Sequence, residues 1–238
     1  MSTLEQQVAW AEQHQAAYRP SQAVQDALGE VTLALIIGPS AIGKSHIIHR
    51  VSQIDPSFSE SGTITTRPPR TDDPETYRAG VAKEEMIERI RQRSLVQYAV
   101  HPTSREIYAS DIASYPTKFG LLPTLASSVG EFDTLGFKKV IPIGLLASRE
   151  DWEARLQDRE GDRDFEKRLA EARESTLWIQ EHGSGIAVLE NRTGEDQATA
   201  ALITRIAKGQ PVETLSGQTI NRLSLGILAV INAKLGED

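Results

Sequence analysis

The sequence predicts an α/β fold with a mostly parallel sheet flanked by helices. Two observations carry this. Strand-like apolar runs alternate with helix-like segments along most of the chain, and the first such run enters a glycine-bounded loop that opens into a helix pattern. With 238 residues and 39% hydrophobic content, the chain can bury a full core, and one domain with appendages is the expectation.

Residues 1–30 read as a helical extension. Leu4, Val8 and Ala11 fall on one helical face, and Pro20 and Gly29 punctuate the stretch. Strand-like runs follow at 31–37, 62–66, 95–100, 119–125, 140–146 and 186–190. Between them, "AKEEMIERIRQR" gathers Met86, Ile87 and Ile90 on one helical face, and "SREDWEARLQDR" opens with Ser148 and Asp151 at capping-box spacing. "DFEKRLAEARESTLWIQEH" is a third helix, and "EDQATAALITRIAKG" closes on Lys208 and Gly209 in a C-cap pattern. After Pro211, "TINRLSLGILAVINAKL" is more apolar than a free tail should be. It packs either on its own domain or on another copy, so homo-oligomerisation through residues 209–238 stays open. Internal repeats and low-complexity tracts are absent from the sequence.

Composition narrows the function. A net charge of -7 gives no general basic field for nucleic acid. The lack of cysteine excludes disulfides and thiolate metal sites. No apolar run reaches the roughly 18 residues of a membrane helix, and the polar start "MSTLEQQVAWAEQHQ" does not resemble a signal peptide. The expectation is a soluble cytoplasmic protein without membrane or nucleic-acid partners.

The loop "GPSAIGKS" carries the chemistry. Gly38, Gly43, Lys44 and Ser45 fit G-x-x-x-x-G-K-S/T, a P-loop spacing, with Pro39, Ser40, Ala41 and Ile42 between them and His46 next. Glycines let the backbone curl around phosphate oxygens at a helix N-terminus. Lys44 then reaches the β/γ phosphates, and the Ser45 hydroxyl can ligate Mg²⁺. ATP as co-substrate with Mg²⁺ is the expectation; the plain alternative is a tight strand-to-helix turn. Some twenty residues on, Arg67 and Arg70 lie three apart among prolines that stiffen their loop, an arrangement suited to bidentate phosphate recognition or to a solvated basic turn.

These elements, in this order, resemble the guanylate kinase family of P-loop nucleoside monophosphate kinases. "GPSAIGKS" looks like its phosphate loop. "TTRPPR" with Tyr77 and "AKEEM" is similar to its acceptor-phosphate segment, "VQYAVHPTSREIYAS" to the strand and loop that follow, "RLQDREGDRDFEKRLAEAR" to its arginine-rich lid, and "AVLEN" to the strand end beside adenine. The resemblance spans 31–208, with an acceptor-binding subdomain at about 62–118 and a lid at about 155–170. It implies a P-loop three-layer α/β/α sandwich.

The resemblance further implies that Arg67, Arg70, Tyr77 and Tyr108 grip an acceptor monophosphate near Thr63 and Ser110. It implies that Lys44 with Arg155, Arg159 and Arg168 closes over the transferring phosphates, and that Asn191, with Arg159 as a second candidate, borders the adenine. Arg155 and Arg159 are one helical turn apart and can face one anion, or can pair with Glu150, Asp151 and Asp158 on an exposed helix. At the base-reading positions the pattern departs: Gln97 and Thr124 stand where the family has carboxylates. An amide offers one acceptor and one donor group, so guanine preference should weaken unless Glu106 or Asp111 substitutes.

The implied reaction is transfer of the ATP γ-phosphoryl group to a nucleoside monophosphate, GMP by resemblance. A phosphorylated sugar as acceptor and a silent phosphopeptide-binding module are the alternatives. His14, His46, His49, His101 and His182 show no metal-ligand spacing.

Overall fold

The computed structural model describes residues 3–71, 73–158 and 164–236. In chain order the helices are α1 (Leu4–His14), α2 (Gln22–Leu28), α3 (Lys44–Ile54), α4 (Lys83–Arg91), α5 (Arg149–Gln157), α6 (Phe165–His182), α7 (Asp196–Ala207) and α8 (Gly217–Leu235). The strands are β1 (Thr32–Ile37), β2 (Phe58–Glu60), β3 (Thr63–Thr65), β4 (Tyr77–Ala79), β5 (Gln97–Val100), β6 (Ile107–Ser110), β7 (Phe119–Pro123), β8 (Lys139–Leu146) and β9 (Ala187–Glu190). They form a five-stranded sheet, order β2-β7-β1-β8-β9, and a four-stranded sheet, order β4-β3-β6-β5. The larger sheet is mainly parallel and flanked by helices, a mixed α/β fold. Two compact units result: residues up to Thr32 with Ser59–Gly120 and Glu131–Lys139, and Leu33–Phe58 with Leu121–Gly130 and the residues from Val140 onward.

β1 is buried along its whole length and apolar from Leu33, where the second unit begins, as a central strand covered on both faces must be. β8 and β9 run parallel, with Gly144 opposite Val188 and Leu146 opposite Glu190. A side chain at Gly144 would press on Val188 and on Ile179 of α6 at 3.3–3.4 Å, so the missing Cβ lets that helix seat. α3 packs with α7, and α8 with α6 and α5. Ile220, Leu223, Ile227, Val230 and Ile231 of α8 are buried, which explains the apolar sequence after Pro211. Ser148 caps α5 by accepting from the Asp151 amide. The carboxylate of Asp151 does not return a cap bond; it accepts from the Thr193 hydroxyl.

In the first unit, β3 pairs parallel with β4 and antiparallel with β6, and β6 pairs antiparallel with β5. Period-two alternation sends Ile64, Tyr98, Val100, Ile107 and Ala109 to one face, where they share a core with Met86, Ile87 and Ile90 of α4. Val8 and Ala11 of α1 belong to that same core. The first helix is therefore part of this unit rather than a loose appendage. Tyr98 Oη donates to the Ala11 carbonyl at 2.8 Å, and Gln15 Oε1 accepts from the Val100 amide at 2.8 Å.

Candidate functional site: a phosphate loop and an arginine-bearing sheet face

The stretch between β1 and α3 folds as an anion cradle. Gly43 takes φ 96° at the N-cap of α3, and Ala41 takes φ 64°, a left-handed conformation that costs an L residue roughly 1–2 kcal/mol. Alternating backbone hands of this kind turn successive N–H groups toward one concavity. A Cβ at Gly38 would lie 2.7 Å from the Leu145 carbonyl oxygen, so only glycine lets the loop leave β1 against β8.

The cleft above this loop has a volume of about 710 Å³ and is lined by residues 39–46 with Arg155, Asp158, Arg168, Glu171, Asn191 and Arg192 among others. Lys44 Nζ donates to the Gly38 carbonyl at 2.6 Å and lies 3.7 Å from Glu171 Oε1. Burial pushes the Lys44 ammonium below its usual range, opposed by Glu171. A lysine so placed favours an incoming anion, which would restore its charge-stabilising surroundings. The backbone curl, the cation and the helix N-terminus fit a polyphosphate. Ser45 is exposed at the first turn of α3 and can offer a hydroxyl to a divalent cation. Among the described residues, no group of three or more His, Asp or Glu side chains could hold a metal by itself.

The loop is tied down from behind by Trp152, which the sequence did not single out, and by Asn191 and Arg155, which it did. Trp152 is fully buried, and its Nε1 donates to the Ser40 carbonyl at 2.9 Å. Asn191 Nδ2 donates to the Ile42 carbonyl at 2.8 Å. Arg155 Nη1 donates to the same carbonyl at 3.2 Å, while its Nη2 donates to the Asn191 carbonyl at 2.9 Å and to Thr193 Oγ1 at 3.1 Å. Arg155 thus lines the cleft while bracing its floor; it makes no direct ion pair with Glu150, Asp151 or Asp158, although it and Asp151 share the Thr193 hydroxyl. Arg168 lines the same cleft; Arg159 lies outside the described residues. His46 pairs with Asp196, which also binds Arg50.

The acceptor candidates lie in the first unit, and the strand register brings most of them together. Thr63 sits opposite Tyr77, Thr65 opposite Tyr108, and Gln97 opposite Ser110. By alternation all six occupy the sheet face turned away from α1 and α4. Ser110 is buried, and its hydroxyl meets that of Tyr115 at 3.2 Å. Burial pushes the Tyr115 phenol up to about 12 despite that bond, so it stays a neutral donor.

Arg67 is 7% exposed and its guanidinium lies 5.7 Å from the Tyr77 ring centroid. Asp73 binds both of its Nη atoms, raising the arginine above its usual range, with Tyr108 adding to the effect. Asp73 also accepts from the Arg70 amide at 2.8 Å, whereas the Arg70 side chain is exposed. One carboxylate therefore organises the whole arginine loop. In the sequence it is only the second Asp of "RPPRTDDPET", with nothing beside it that marks Arg67 as its partner.

The two carboxylates considered as base readers are occupied. Glu106 accepts from Lys83 at 2.8 Å and from Thr66. Asp111 holds Arg78, Arg89 and the Ser114 amide. Burial alone would raise Asp111; the two arginines hold it below the usual carboxylate range. Thr124 lies in the second unit, buried, with its hydroxyl donating to the Leu122 carbonyl at 3.1 Å.

No family model matches the chain, and no curated protein does. Among solved structures, the guanylate kinase from Anaplasma phagocytophilum is similar at 15% identity and a TM-score of 0.48, over 87% of this chain and 96% of that one. No helix among the described residues is long and apolar enough to cross a membrane.

Proposed function

We propose that this chain is a nucleotide kinase that transfers the γ-phosphoryl group of Mg²⁺-ATP to a nucleoside monophosphate. The observation that carries the reading is the loop of 38–45, with two left-handed residues, a buried lysine and a helix N-terminus, in a chain that also presents Arg67 on a hydroxyl-lined sheet face. Phosphoryl transfer asks little covalent chemistry of a protein. It asks for positioning and for positive charge around a spreading negative one.

In this reading the loop amides and Lys44 bind the triphosphate, Ser45 offers a metal ligand, and Arg155 and Arg168 supply further charge. Mg²⁺ would neutralise the phosphate oxygens and orient them. Arg67, Arg70, Tyr77 and Tyr108 bind the acceptor phosphate, and the phosphate itself is the nucleophile, so no general base is assigned. Lys44 leaves the Gly38 carbonyl and Glu171 as the nucleotide enters; Arg67 exchanges Asp73 for the acceptor's oxygens.

The base preference follows from the occupied carboxylates. With Glu106 and Asp111 already paired, Gln97, Ser110 and Tyr115 are the polar groups left to read a base. Guanine's N1–H and amino group lose the two-oxygen acceptor that would favour them, so GMP holds no large advantage over AMP, CMP, UMP or dTMP. A coupled ADP-release assay across this panel tests the reading. Turnover with at least one nucleoside monophosphate is expected, and none above background with any would overturn it. A phosphorylated sugar that outpaces every nucleotide would favour the second reading, which the hydroxyl-rich sheet face also suits.

A further inference from the structure

A separate cavity of about 440 Å³ opens in the first unit where α1 meets the end of α4. Its walls are Trp10, His14, Ala17, Tyr18, Ile90 and Tyr98, with the His14 ring against that of Trp10, centroids 4.8 Å apart. Trp10 is half-buried, and Tyr18 meets Tyr98 edge-on with centroids 4.9 Å apart. Apolar walls of this size suit a ligand of one or two rings.

Three arginines rim it: Arg19, Arg91 and Arg93. Elsewhere in this unit Arg67, Arg78, Lys83, Arg89 and Arg105 each hold a carboxylate. Among the described residues no carboxylate forms an ion pair with Arg19, Arg91 or Arg93, in a chain whose net charge is -7. Arg91 lies over the Trp10 ring, 5.4 Å from its centroid, with its fork of donors directed to no protein acceptor among the described residues. Arg93 is held in the left-handed region at φ 55°, where glycine would be less strained. It ties the chain before α2 by donating to the carbonyls of Arg19 at 2.7 Å and Pro20 at 3.1 Å. Arg19 Nη1 donates to the carbonyls of Tyr18 at 2.6 Å and Ala16 at 3.5 Å, which leaves Arg91 as the rim arginine with uncommitted donors among the described residues.

We infer that this cavity is a second ligand site, distinct from the phosphate loop, for a planar aromatic anion the size of a nucleoside monophosphate: ring against Trp10 and Tyr18, phosphate against Arg91 with Arg19 and Arg93. Aromatic walls give stacking energy, and paired guanidinium forks give phosphate recognition. The inference does not depend on catalysis at the loop.

The test uses AMP as probe and the full chain carrying Lys44→Ala and Arg67→Ala, which disables both phosphate-binding positions assigned above. Isothermal titration should still show one AMP site per chain. Adding Arg91→Ala, an exposed position that should not unfold the chain, is expected to weaken it by about tenfold or more. Arg91→Lys should recover only part, because it keeps charge and loses the planar fork. No residual AMP site, or one indifferent to Arg91→Ala, would overturn the inference. So would equal affinity for ribose 5-phosphate, which lacks the ring, for adenosine, which lacks the charge, or tighter binding of a single-stranded oligonucleotide.

Discussion

The indole Nε1 of Trp152 donates a 2.9 Å hydrogen bond to the backbone carbonyl of Ser40, across 112 residues of sequence. Ser40 lies in the phosphate loop, so a fully buried side chain of α5 sets the height of the loop's outer arm. Trp152→Phe keeps most of the packing and strands one carbonyl. The expected cost is ~1–3 kcal/mol of stability, with a weaker affinity for ATP measured on the folded fraction. Unchanged ATP affinity would show that the loop holds its shape without this bond.

Arg155 offers a similar contrast. As a brace, it fixes the Ile42 and Asn191 carbonyls in the absence of nucleotide. Arg155→Lys preserves charge but cannot span both carbonyls and Thr193. Faster amide hydrogen exchange at residues 40–43 in the nucleotide-free protein is expected, together with reduced kcat/KM. Exchange equal to that of the wild type, with kcat alone lowered, would instead assign Arg155 to the transferring phosphate only.

In the proposed reaction Asp73 would compete with the acceptor phosphate for Arg67. Asp73→Asn removes a negative charge facing an incoming dianion, while its amide oxygen can still accept from the Arg70 amide. The acceptor KM should fall severalfold with little change in the KM for ATP. A rise in acceptor KM would mean that Asp73 is needed to aim the guanidinium.

Gln97 occupies the register position opposite Ser110 on the open sheet face. Gln97→Glu restores a two-oxygen acceptor there. The ratio of kcat/KM for GMP over AMP should rise by about tenfold, the worth of one charge-assisted hydrogen bond. A ratio unmoved by the change would place base recognition elsewhere.

Asp111 supplies a pH signature. Its folded-state carboxyl lies below the ordinary 3.8, held there against burial by Arg78 and Arg89. A depressed folded pKa means stability that is present above the unfolded value and lost as pH falls through the folded one. Thermal unfolding should therefore show the wild type losing Tm below about pH 4, with Asp111→Asn already lower at neutral pH and flatter on the acid side. Parallel acid profiles would remove Asp111 from the acid limb.

Much of this fold was legible because its signals are local. The apolar run of β1, the glycine spacing and the following amphipathic α3 sit side by side in sequence. The alternation of Gln97 with Ala99 and of Tyr108 with Ser110 could place those residues on one face once strands were drawn. What was not legible depends on distance or brevity. β2 and β4 are three residues each, too short for periodicity to speak. Trp152 read as an ordinary apolar helix residue, and Arg155 read as a phosphate ligand or a surface ion pair, since nothing near either shows a carbonyl waiting in another segment. Glu106 and Asp111 looked free because their cationic partners are 22 to 33 residues away in sequence.

The seating of α1 limits how the polypeptide can be trimmed. A proteolytic clip after His14 that released the helix would uncover Met86 and Ile87, leave the Tyr98 phenol without its carbonyl and open the wall of the arginine-rimmed cavity. Loss of fourteen residues at the amino end would then be felt on β5 at Tyr98, the neighbour of Gln97.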